Sequence, residues 1–142
     1  MRANIVTYAY VEKAMFAQAL ADAEIVRRLY GEGPWYWSDL AYIYGRAGQL
    51  ERARRELEKL EKLSRHEQVD PVTMLWAHLG LGDKEEALAD LEKAYSGHFS
   101  TLTTLKVEPA FDPLRSDPRI QDLLRRVGLA DSGVNAGSTP KR

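Results

Sequence analysis

The sequence predicts an all-α chain, a right-handed α-α superhelix of three helical hairpins closed by a C-terminal capping helix. Three observations predict it. The first is a register: Trp37, Leu40, Ala41, Tyr44, Gly48, Ala53, Leu57 and Leu60 recur thirty-four positions later as Pro71, Met74, Leu75, His78, Gly82, Ala87, Leu91 and Ala94. It runs back by the same step to Ala3, Val6, Thr7, Tyr10, Ala14, Ala19, Ala23 and Val26. A fixed period of this length marks stacked helical units, none of which can bury its apolar face alone. The second is steric: Ala41, Ala53 and Ala87 place small residues where helix backbones must approach closely. The third is punctuation, with Gly, Asp and Pro falling between the periodic stretches.

Each element follows from local pattern. The first pair is expected near 2–13 and 16–30. It is the least regular, because Ala14-Met15 stands where the other pairs have Gly48 and Gly82, but Ala19 and Ala23 keep the close-approach positions. The third helix, near 35–47, carries Trp37, Leu40, Ala41 and Tyr44 on one stripe. Pro34 suits its first turn and Gly48 its left-handed end. The fourth, near 50–64, buries Leu50, Ala53, Leu57, Leu60 and Leu63. Glu51-Arg55 and Glu58-Lys62 lie on its solvated face as i,i+4 pairs. The fifth, near 71–81, is capped by Asp70 and opened by Pro71, with Gly80 and Gly82 bracketing its end. The sixth, near 84–97, is capped by Asp83 and faces Ala87, Leu88, Leu91, Ala94 and Tyr95 inward. Residues 100–115 read as short helical turns and extended pieces broken by Pro109 and Pro113. Asp117-Pro118 opens a last helix to about Val127, with Ile120, Leu123, Leu124 and Val127 inside, and Gly128 ends it. The domain is expected over 1–129, with repeats at about 1–31, 34–65 and 68–99 and the cap at 100–129. Residues 130–142, rich in Gly, Ser and Asn, read as a disordered tail.

Composition narrows the function. The 142 residues are 44% hydrophobic and 29% charged, with 20 Lys plus Arg against 21 Asp plus Glu and a formal net charge of -1. Without a basic excess, nucleic acid is not an expected partner. Arg115, Arg119, Arg125 and Arg126 make the last helix locally basic, but Asp112, Asp117 and Asp122 interleave with them. Cysteine is absent, which excludes disulfides and thiolate chemistry. The N-terminal stretch is too short and polar for a secretory h-region, and no apolar run is long enough to span a bilayer. The expected protein is cytoplasmic and makes no membrane contact.

No residues converge on a reaction, so a non-catalytic protein without cofactor or metal is expected. His66-Glu67-Gln68-Val69-Asp70 lacks the second His of a helical zinc site. His78 takes the place of an aromatic in the register and reads as a packed core histidine; His98 reads as a loop residue. Gly31-Glu32-Gly33 is a linker between helices. Asp112 and Asp117 precede prolines and read as helix caps.

These residues resemble tetratricopeptide repeats. The eight-position signature of that family (large, Leu, small, aromatic, Ala, aromatic or Leu, Ala, Pro) is matched well by 37–60 and 71–94 and weakly by 3–26. Gly31, Arg65 and Phe99 stand in place of the closing proline. The stretch from Leu105 to Arg119 resembles the C-terminal end of tetratricopeptide regions in bacterial multidomain signalling proteins. There the repeats follow a winged-helix DNA-binding domain or a Ser/Thr kinase domain. The resemblance implies a scaffold for protein–protein interaction in bacterial signalling, whose first helices line a concave groove that takes a peptide or protein partner. The groove-facing positions fall at Tyr8, Tyr42 and Trp76, with Glu12, Asp39 and Arg46 beside them. Aromatics in line suit anchors, and they equally suit packing between hairpins or beneath the C-terminal segment. Family members that clamp chaperone C-terminal carboxylates use Lys and Asn, with Lys and Arg in the third repeat, at positions that here are Asn4, Tyr8, Asp39, Val69 and Thr73; only Asn4 is usefully polar and it replaces a cation, so that capture is not expected. An alternative function is self-association through the first hairpin, where Ile5, Val6 and Ala9 would lie at an open edge.

Overall fold

The structure is a computed structural model that describes residues 5–97 and 109–128. Every regular element among them is helical. They are α1 (Ile5–Glu12), α2 (Phe16–Tyr30), α3 (Pro34–Arg46), α4 (Leu50–Ser64), α5 (Pro71–Leu81), α6 (Lys84–Ser96), a 3-10 turn (Pro109–Leu114) and α7 (Pro118–Arg126). The expected helix start at residue 2, the loop residue His98, the turns over 100–108 and the tail at 130–142 lie outside the described residues. So do the side chains of Ile5 and Val6; Ala9 is exposed.

The helix ends obey the chemistry of their residues. Asp70 Oδ1 accepts from the Val72 backbone N–H at 2.7 Å, Asp83 Oδ1 from Glu86 at 3.3 Å and Asp117 Oδ1 from Arg119 at 2.8 Å. Each carboxylate satisfies an N–H that the helix cannot. Gly48 and Gly82 follow their helices at φ +83° and +73°. Ala14, one period before Gly48, adopts the same left-handed turn at φ +60° although it carries a Cβ.

Packing runs α1 on α2, α3 on α4 and α5 on α6, with α3 against α5 the most extensive contact of all. The period is visible in burial: Ala19, Ala53 and Ala87 are fully buried, as are Thr7, Ala41 and Leu75. One apolar cluster joins α1, α2, α3 and α5 through Val11, Ala23, Tyr42, Ile43 and Trp76, and it includes Ala110 of the 3-10 turn. A second joins α5 and α6 to the C-terminal elements through Leu75, Leu91, Phe111, Ile120 and Leu123. A third, Ala41, Leu60 and Ala77, ties α4 to α3 and α5.

Several expectations change. Gly80 and Gly82 bracket the end of α5 on either side of Leu81, but Gly80 is also a contact: an added Cβ there would meet the Tyr42 Cα and sit 2.6 Å from the Ala41 carbonyl oxygen. Gly45 likewise faces the Gly80 backbone. The closest crossing therefore belongs to glycines, not only to the alanines. Leu50 is exposed, since it opens α4 one turn before the buried stripe begins. Glu51 meets Arg54 at 3.5 Å, at i,i+3, and not Arg55. Asp112 lies within the 3-10 turn and pairs with Arg115, so it is not a helix cap.

The C-terminal elements continue the period. Arg119 makes a two-pronged pair with Glu85 at 2.8 and 2.9 Å, and Arg126 pairs with Glu92; both partners lie 34 residues back. Arg46 and Glu12, joined at 3.0 Å, are also 34 apart. α7 thus sits beside α6 one period on. The arginines expected to make this helix a basic face are engaged by these pairs and by Asp117 and Asp122. The Arg119 guanidinium and backbone N–H, with Lys84 behind them, hold the Asp117 carboxyl well below the usual carboxylate range.

Candidate functional site

The site expected from the sequence is one continuous network across α1, α3 and α5. Tyr8 and Glu12 lie on α1, Asp39, Tyr42 and Arg46 on α3, and Trp76 on α5. They meet because each helix repeats its neighbour's register, so side chains one period apart fall side by side. Tyr8 stacks on Trp76 with ring centroids 4.4 Å apart and planes within 11°. Tyr42 sets an edge against both, at 5.7 Å from Tyr8 and 5.0 Å from Trp76.

The polar members complete the network. Tyr8 Oη donates to Asp39 Oδ1 at 2.8 Å, and Tyr42 Oη donates to Glu12 Oε2 at 3.0 Å. Arg46 Nη1 donates to Glu12 Oε2 at 3.0 Å and to Tyr42 Oη at 2.8 Å. Burial works against the Arg46 charge, but the Glu12 carboxylate and Tyr42 outweigh it and raise its pKa.

Burial divides the six residues. Tyr42 is 0% exposed and Trp76 6%, while Asp39 is buried with them. Tyr8 is half-buried, and Glu12 and Arg46 reach solvent. The aromatic line is therefore no open anchor surface. Its far side is closed by the C-terminal segment, where Phe111 packs 5.9 Å from Trp76 and Ala110 joins the same cluster. The accessible part of the site is the Glu12–Arg46 edge.

That edge opens into a cavity of about 400 Å³ between the ends of α1, α3 and α5, the start of α6 and the 3-10 turn. His78 lines it and is 5% exposed. Its Nδ1 lies 2.6 Å from Asp90 Oδ2, also buried. Burial disfavours the imidazolium, but Asp90, with Asp83 and Glu86 further off, outweighs this and raises the pKa of His78 above the ordinary value. His78 is a packed histidine as its place in the register suggests, and it is also hydrogen-bonded to a buried carboxylate.

Sequence reasoning missed Asp90, Ala110 and Phe111. A signal existed for Ala110, which lies one period beyond Trp76 in the same position as Tyr8, Tyr42 and Trp76. Asp90 gave none, because an acid on an amphipathic helix looks solvated until its neighbour is placed. Among the described residues no group of three or more His, Cys, Asp or Glu could hold a metal ion. No helix among them is long and apolar enough to cross a membrane.

No family model matches the chain, and neither the curated proteins nor the solved structures provide a match.

Proposed function

We propose that this chain is a non-catalytic scaffold of the tetratricopeptide type, a right-handed stack of helical hairpins that binds a peptide or protein partner. In this reading it acts as the C-terminal part of a bacterial signalling regulator. The observation that carries the proposal is the alignment of α1, α3 and α5. Their contact gathers Tyr8, Tyr42 and Trp76 into one cluster of three touching rings and leaves Glu12 and Arg46 on its accessible edge. A partner engages that edge, where the Arg46 guanidinium and the Glu12 carboxylate orient it by charge and the half-buried Tyr8 is the one ring within its reach.

Selection from a random peptide display against the intact chain tests this. Selected peptides should perturb NMR signals of α1 and α3 around Glu12 and Arg46. Arg46→Gln should weaken them about tenfold, the loss expected for one charge-assisted hydrogen bond. Peptides that map to the outer faces of α2 and α4, indifferent to Arg46, refute the reading.

A second reading, self-association through the first hairpin, is favoured by one specific feature. Ile25 and Leu29 of α2 are 54% and 70% exposed, with Tyr30 beside them. One period on, Ile25 becomes Lys59 and Tyr30 becomes Ser64, while Leu29 is matched by Leu63. Light scattering over a wide concentration range decides it. A dimer that dissociates in Ile25→Lys/Leu29→Lys supports it, and a monomer throughout removes it.

A further inference from the structure

We infer that the cavity beneath the 3-10 turn is a binding site for a small amphipathic carboxylate. Its apolar body lies on Leu79, Ala87, Ala110 and Leu114, and its head meets His78 and Arg46. The proposal concerns a small molecule and does not depend on the scaffold reading.

The volume, about 400 Å³, lies in the range of sites that enclose small ligands. The aliphatic side chains and prolines of the walls alternate with titratable groups, of which Arg46, His78 and Lys84 are the cations, and Lys84 is engaged by Asp117. The spare hydrogen-bonding capacity of the cations then selects the ligand. His78 commits Nδ1 to Asp90. No buried side-chain nitrogen or oxygen among the described residues lacks a partner, so Nε2, which has no protein partner, must be reached by solvent. His78 is itself a lining residue of the cavity. With Nδ1 bonded to Asp90, the protonated ring has its second N–H, at Nε2, to offer to a ligand. Arg46 commits only Nη1 to Glu12 and Tyr42, leaving Nη2 and Nε as further donors.

The acids of the lining are already engaged. Glu12 holds Arg46 and Tyr42, Asp83 caps α6, and Asp112 pairs with Arg115. Donors without partners, beside aliphatic side chains, call for an acceptor on an apolar body. A carboxylate satisfies both cations through charge-assisted bonds. Its binding favours the charged form of His78, which Asp90, Asp83 and Glu86 already favour.

The test uses the isotope-labelled full chain and three probes of equal length: octanoate, 1-octanol and octylamine. Octanoate should saturably shift the His78 ring signals and the methyl groups of Leu79 and Leu114, and should raise the pKa of His78 further. 1-Octanol should bind about tenfold more weakly, the worth of one lost charge-assisted bond, and octylamine more weakly still. Arg46→Gln should lower octanoate affinity about tenfold and leave 1-octanol unchanged. Equal affinity for octanoate and 1-octanol, preference for octylamine, or no shift at millimolar concentrations overturns the inference. The probe series on the unaltered chain decides this even where a variant folds poorly.

Discussion

Replacing Gly80 by Ala separates two opposed physical effects, and the structure says which wins. Alanine is favoured over glycine in a helix interior by about 1 kcal/mol. Gly80 lies within α5, so propensity alone predicts a more stable protein. But a Cβ there would meet the Tyr42 Cα and come within 2.6 Å of the Ala41 carbonyl oxygen, and both are main chain. No side chain can swing aside, so α3 and α5 must separate. Overpacking of this kind costs about 1–3 kcal/mol, and a backbone contact belongs at the upper end. Separation also loosens the edge contact between Tyr42 and Trp76, worth about 0.5–1.5 kcal/mol. The net is a loss of about 2–3 kcal/mol, read by urea unfolding followed at 222 nm. Gly45→Ala meets the Gly80 backbone across the same crossing. Once one substitution has parted the helices the other costs less, so the double variant should lose clearly less than the sum. A Gly80→Ala protein about 1 kcal/mol more stable than the original, as propensity alone predicts, would refute the close crossing.

Three further perturbations follow from the same contacts. Ala14→Gly removes a left-handed alanine costing about 1–2 kcal/mol but loosens the unfolded chain, so stability should rise by up to about 1 kcal/mol in urea melts; a loss would mean that the turn is not left-handed in solution. The raised pKa of His78 means that its ion pair with Asp90 contributes fully below the ordinary histidine value of about 6.5 and fades as pH rises through the folded value. The stability difference between the wild type and His78→Gln should accordingly shrink as pH rises above about 6.5, and a difference that grows with pH contradicts the assignment. Phe111→Ala should cost about 3–5 kcal/mol and open Trp76 to acrylamide quenching, whereas unchanged quenching would mean that the 3-10 turn does not cover the aromatic line.

The helices were legible because their signals are local. A cap such as Asp70 before Pro71, or a stripe such as Leu40, Ala41 and Tyr44, is decided by residues within a turn or two, and six helices fall close to their expected ends. The tightest crossing was not legible. Gly80 reads as punctuation beside Gly82, and only the partner backbone shows that it is a contact. The pairing of Glu51 with Arg54 instead of Arg55 depends on side-chain rotamers, which spacing on a helix leaves open. The six site residues were legible as a line, because the period that identifies the repeat also aligns their side chains. Which face of the line is covered was not, since an aromatic that packs between helices and one that awaits a partner occupy the same position in the pattern.

The covering segment resolves that ambiguity, and the period itself explains why it sits there. Tyr8, Tyr42, Trp76 and Ala110 are successive members of one register, and the last belongs to the 3-10 turn. Glu85–Arg119 and Glu92–Arg126 repeat across α6 and α7 the same step that Glu12–Arg46 makes across α1 and α3. The C-terminal segment is therefore placed as the next unit in the series, and its described residues before α7 form a 3-10 turn that contains Pro113. That turn lines the cavity beside Arg46 and His78. The same turn that sets Phe111 against Trp76 thus forms one wall of the chamber proposed as a ligand site. Lengthening the turn, by replacing Pro113 with a helix former, should reshape that wall and abolish octanoate binding without uncovering Trp76. If octanoate still binds to a Pro113→Ala chain whose segment has become helical, the chamber does not depend on the turn.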